Sequence, residues 1–131
     1  MNSKEFEEEF FQELLKNLKK EFPNLDCELN SETSVGVGPD ITIFDKEEKA
    51  ILGIEIKGGP KLPRVPMATL AQMNAIKKKM KDARLVLLTH NSSVPKVVKL
   101  ELGLEDVGLI EEDDPKEATD RILEMLFKLQ K

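Results

Sequence analysis

The sequence predicts an α/β domain: a mixed central β-sheet flanked by helices, with its elements in the order αβββαβαβα. Three observations lead there. Residues 3–22 carry Phe6, Phe10, Phe11, Leu14, Leu15, Leu18 and Phe22 at helical spacing, the stripe of an amphipathic helix. Residues 41–44 and 51–56 are rich in β-branched side chains and flank the polar run 45–49, as the strands of a β-hairpin do. Leu85-Val86-Leu87-Leu88 is a continuous apolar run, which reads as a strand buried on both faces at the centre of a sheet. A chain of 131 residues is one domain, 1–131, large enough to bury an ordinary core.

Taken in order, the first helix is capped by Asn2 or Ser3, and Pro23 with Asn24 ends it. Its early glutamates suit the positive end of the helix dipole. Residues 25–29 form the first strand, with Leu25, Cys27 and Leu29 alternating against Asp26 and Glu28. A turn over 30–34 follows, and Val35-Gly36-Val37-Gly38 brings a thin, pliable backbone to Pro39-Asp40. This is no dinucleotide fingerprint, because the third glycine is missing and proline stands where a helix would open. With the hairpin turn centred between Glu47 and Glu48, Asp45 pairs with Ala50 and Asp40 falls opposite Glu55. Alternation then sets Asp40, Thr42, Phe44, Ile51, Gly53, Glu55 and Lys57 on one face. Ile41, Ile43, Ala50, Leu52, Ile54 and Ile56 make the opposite, core face.

Gly58-Gly59-Pro60 stops the second hairpin strand, and 61–66 is a basic, proline-punctuated loop. A helix follows from Pro66 or Met67 to Lys81. Its apolar positions include Met67, Leu70, Ala71, Met73, Ala75, Ile76 and Met80, and its last turns hold Lys77, Lys78, Lys79 and Lys81. After the strand 84–89, the single histidine, His90, reads as a strand-end cap or turn residue. Residues 94–102 form a short helix closed by Gly103, and 107–110 form the last strand. Pro115 opens the final helix, whose stripe is Ile122, Leu123, Met125, Leu126 and Leu129. The acidic run 111–114 reads as solvation of the loop and helix start.

Composition narrows the class. No apolar run spans a membrane and no signal-peptide pattern opens the chain. A lone cysteine, Cys27, makes no internal disulfide, and the expectation is a small apolar residue in a reducing cytoplasm. The net charge is −5, but it is unevenly spread. Residues 1–48 carry a net −8, residues 49–100 a net +9, and residues 101–131 a net −6. A local positive field beside carboxylates suits a phosphodiester substrate. The other reading of the same block is the exposed face of a lysine-rich helix.

The chemistry concentrates at one end of the hairpin. Two carboxylates across one rung, Asp40 and Glu55, repel unless one takes a proton or a cation sits between them. Oxygen ligands of this kind suit Mg²⁺ or Mn²⁺. Lys57 lies about 7 Å further along the same face, where it could hold a water or a phosphate oxygen.

Pro39-Asp40 and Glu55-Ile56-Lys57 resemble the motif of the PD-(D/E)xK nuclease superfamily, which includes Holliday-junction resolvases and many restriction endonucleases. The resemblance implies a restriction-endonuclease-like core and a metal-dependent nuclease acting on DNA. It also implies that Asp40 and Glu55 bind Mg²⁺ and that Lys57 helps activate the attacking water. Many members carry a glutamate on the first helix that faces the metal. Glu7, which falls within the apolar stripe, is the candidate, and Glu8 the next. Several branches place a glutamine on the helix after the Glu-x-Lys strand, and Gln72 resembles it. Lys61, Arg64, Lys77 and Lys81 are the candidate phosphate contacts. A homodimer is the expected form for cutting two strands. The rival reading is a non-cleaving nucleic-acid- or protein-binding module on the same fold.

Overall fold

The computed structural model describes residues 2–30, 38–59, 63–104 and 106–130. Among them are four helices and five strands: α1 (Ser3–Glu21), β1 (Asp26–Leu29), β2 (Ile41–Phe44), β3 (Ala50–Gly58), α2 (Met67–Lys79), β4 (Arg84–His90), α3 (Lys96–Glu101), β5 (Gly108–Glu111) and α4 (Pro115–Leu129). The strands form one mixed sheet in the order β1-β2-β3-β4-β5. β1, β2 and β3 run antiparallel, whereas β3, β4 and β5 are parallel and are joined through α2 and α3.

Strand alternation divides the interior into two cores. On one face Ile41, Ile43, Leu52, Ile54, Ile56, Val86 and Leu88 pack against Phe6, Phe10, Leu14 and Leu18 of α1 and Ile122 and Leu126 of α4. Burying each of these large side chains contributes about 1.5–3 kcal/mol. The other face carries Leu85 and Leu87, covered by Leu70, Met73 and Ile76 of α2 and by Val94 and Leu104. β4 is buried from Leu85 to His90, as its unbroken apolar run requires. Cys27 sits in the first core, where burial and the charges of Asp26 and Glu28 push its thiol up to about 12, so it is an inert packing residue.

Several boundaries differ from those read in the sequence. The hairpin turn is tighter: Asp45 N–H donates to Lys49 O at 2.9 Å, and the Asp45 carboxylate accepts from Glu47 N and Lys49 N, both at 2.9 Å. Glu48 takes the left-handed conformation, φ 64°. Phe44, not Asp45, therefore pairs with Ala50, and a bulge between Ile43 and Phe44 restores the register so that Ile41 faces Ile54. The extra residue turns Ile51 away from its expected face and onto the α1–α4 core. α2 ends at Lys79, with the Met80 N–H closing on Ile76 O, and its Met67, Ala71 and Ala75 are exposed, not packed. α3 is shorter than expected because Pro95 takes the N-cap position. His90 is neither a cap nor a turn residue. It closes β4, is 1% exposed and stacks on Phe6 with ring centroids 4.1 Å apart.

The acidic run does more than solvate. Asp114 caps α4, Glu111 accepts from Val94 N at 3.2 Å, and Asp113 accepts from Asn91 N at 2.6 Å. These bonds fasten the loop after β4 to the end of β5.

Candidate metal and phosphodiester site

The site is built where β2 stops and β3 continues. β2 begins at Ile41, so the Ile56 N–H has no β2 backbone carbonyl opposite it. The Asp40 carboxylate takes that place, accepting from Ile56 N at 2.8 Å. The Asp40 backbone is held too, since its carbonyl accepts from Asn30 N at 2.7 Å. With Ile41 opposite Ile54, the next rung outward sets Asp40 against Glu55.

Gly53 seats this arrangement. A Cβ there would lie 2.9 Å from Leu85 Cδ2 and 3.0 Å from Pro39 Cγ. The missing side chain lets the buried Pro39 lie against the strand, and Asp40 follows directly. Sequence reasoning passed over Gly53 as a positioning residue. The signal was present, because a glycine inside an apolar strand marks a close approach by another chain segment.

Glu55 is 2% exposed, and its Oε1 has no hydrogen-bond partner among the described residues. Its pKa is pushed up to about 9. Burial is the largest cause, followed by the hydrogen bond with the Asp40 side chain and the Asp40 charge. The Lys57 charge and the Asp40 backbone N–H act the other way. At neutral pH the cation-free pair therefore holds a proton. Lys57, two residues on, pairs in register with Thr89, is half-buried and makes no ion pair among the described residues.

The same end of the sheet gathers further groups. Gly58 lies against His90, and a Cβ on Gly58 would meet His90 O at 1.9 Å, so only glycine fits there at φ 139°. Gly59 N donates to His90 O at 3.1 Å. The His90 ring turns to the α1 side, where burial lowers its pKa against the opposing charge of Asp113; its Nε2 finds no partner among the described residues. Arg64 is exposed and bridges to Ser93 in the loop after β4, with Val65 N donating to Ser93 O at 2.9 Å. Arg64 is thus held at the Lys57 end of the sheet.

The other sequence candidates are more scattered. Glu7 is half-buried on α1, next to the Phe6 that stacks on His90, and it is not without a partner; Glu8 is exposed. Among the described residues no third His, Cys, Asp or Glu joins Asp40 and Glu55 in a ligand group. Gln72 lies exposed on α2. Lys61 falls outside the described residues. Lys77 and Lys81 are not brought to the carboxylates. They lie beside Arg84, three residues before Leu87, the β4 partner of Glu55, and so roughly 10 Å from it along the strand. Lys77 is also engaged, with Asp106 at 2.6 Å and Gly103 O at 2.7 Å.

The carboxylate pair fits a hard divalent cation. Both donors are oxygens, one carboxylate oxygen is buried without a partner among the described residues, and the two groups repel unless a proton or cation joins them. A two-carboxylate set is sufficient for Mg²⁺, which keeps several waters and takes substrate phosphate oxygens for the rest. No protein-family model matches the chain, and no curated protein sequence matches it significantly.

Proposed function

We propose that this chain is a metal-dependent nuclease that hydrolyses phosphodiester bonds, with DNA as its substrate. One observation carries the reading: Glu55, 2% exposed and with its Oε1 unpartnered among the described residues, is set against the Asp40 carboxylate two residues before a half-buried lysine. A buried charge is expensive, and a pair of like charges more so, unless something binds between them.

Asp40 and Glu55 are the residues that hold Mg²⁺ or Mn²⁺. When bound, the cation supplies Lewis acidity, neutralising phosphate charge and acidifying water. Lys57 Nζ orients the attacking water and stabilises the negative charge that develops on the phosphate. Asp40, locked by Ile56 N and by its own backbone bond to Asn30, needs little rearrangement to act as a ligand. Glu7 and Gln72 are the supporting groups of this reading, and Arg64 holds substrate phosphate beside the site. Cutting both strands of a duplex would take two copies of the chain.

A binding module that does not cut is the second reading, and the net charge of −5, with no third acidic ligand among the described residues, favours it. Cleavage of single-stranded, duplex and branched DNA with Mg²⁺ or Mn²⁺ separates the two. The nuclease reading expects cleavage by the wild type and a fall of about 10²-fold or more in Lys57→Ala and Asp40→Ala with folding intact. Equal cleavage by the variants, or none by the wild type on any substrate, would sink it.

A further inference from the structure

The basic groups beyond the carboxylates lie on a line. Residues 56–81 hold seven Lys or Arg and not one Asp or Glu, in a chain with 25 acidic residues. α2 occupies the second half of this segment. Its first residue, Met67, follows the strand end that carries Lys57, and its last, Lys79, precedes Arg84, where β4 begins. At 1.5 Å per residue the helix covers roughly 18 Å.

At its far end is a cavity of about 430 Å³, rimmed by Lys77, Lys78, Lys81 and Arg84 and floored by Met80 and Leu85. Asp106 also lines it, but that carboxylate is paired with Lys77. Lys78, Lys81 and Arg84 are exposed and make no ion pair among the described residues. Asp106 feels Arg84 as well as Lys77, so four cations share the one carboxylate that lines the recess among the described residues, and their mutual repulsion falls when an anion enters. Between this recess and the carboxylate end, the solvent side of α2 presents Ala68, Ala71, Gln72 and Ala75. No charge on that stretch repels a polyanion, and apart from the uncharged Gln72 its side chains are single methyl groups.

We propose that the outer face of α2 is the track for one nucleic-acid strand, running from the Lys57 end of the carboxylate site to the recess, where Lys78, Lys81 and Arg84 grip its phosphates. The track rests on the nuclease reading only for what lies at its near end. With one phosphate of each strand per 3.4 Å of duplex axis, 18 Å of axis holds about five phosphates of the bound strand. The chain therefore contacts about six nucleotides, although its chemistry needs only one phosphodiester.

The test is the anisotropy of fluorescein-labelled DNA of about three to twelve nucleotides, single- and double-stranded, without divalent cation, so that binding is read apart from cleavage. Affinity is expected to rise about tenfold or more up to about six nucleotides and then level off. In Lys78→Gln/Lys81→Gln/Arg84→Gln, exposed positions whose replacement leaves the cores intact, the rise should vanish. The slope of log affinity against log salt should fall by about two to three, one for each cation. The shortest strands should bind both proteins alike. A triple variant that binds long strands with wild-type affinity and slope would overturn the track, whatever the cleavage assay gives. Wild-type protein that binds with this length dependence and never cleaves would support the track while removing the nuclease.

Discussion

At the scale of single residues, the molecule turns on Glu55. Its raised pKa means that the folded protein binds a proton that the unfolded chain releases near pH 4.5. The stability associated with that proton is complete below about 4.5 and is lost as pH rises through about 9, at no more than about 1.4 kcal/mol per pH unit. Urea unfolding of metal-free protein from about pH 5 to about pH 9 should show this decline. Glu55→Gln keeps a neutral donor beside Asp40 and should flatten it, and a decline that persists in the variant would place the titration elsewhere. The opposition of Asp40 and Glu55 was legible in the sequence, because alternation and turn position suffice to infer a rung. The proton was not, because it depends on the depth of burial, which nonlocal packing decides. Lys77 shows the same limit: its counter-charge, Asp106, comes from beyond β4 and α3.

Elements position these residues through contacts with little room to spare. β3 passes under Pro39 at Gly53, and a side chain there meets Leu85 on one side and Pro39 on the other. Gly53→Val should cost about 1–3 kcal/mol by overpacking. It should also lift Asp40 from Ile56 N, so that the Ile56 amide exchanges faster while the Val86 and Leu88 amides in β4 stay protected. Unchanged protection at Ile56 would show that Pro39 does not position Asp40. The helical stripes of α1 and α4, the hairpin and the buried run of β4 were all legible from periodicity. The bulge in the hairpin was not, because a left-handed Glu48 carries no glycine or asparagine signature. Nor was the bracing by Glu111 and Asp113, since an acidic run looks the same in sequence whether it faces water or caps a loop.

Across the whole molecule, two cores cover the two faces of the sheet, and the proposed site lies towards the end of β3 and β4. Charge is segregated to match: acidic groups dominate α1 and the C-terminal third, while the segment around α2 is basic without interruption. A net charge of −5 hides this, and the linear blocks of sequence showed it before any fold was in hand. The blocks did not show that the basic groups split between the two ends of α2, because that follows from the parallel β3–α2–β4 crossover. The Asp40–Glu55 pair is proposed to hold a divalent cation where a phosphodiester is cut. Calorimetric titration of the folded protein with Mn²⁺ at about pH 7, in buffers of different ionisation enthalpy, tests it most directly. One bound cation should displace about one proton in the wild type and none in Glu55→Gln. Saturable Mn²⁺ binding with no proton release, or with the same release in the variant, would contradict the claim, as would no binding at all.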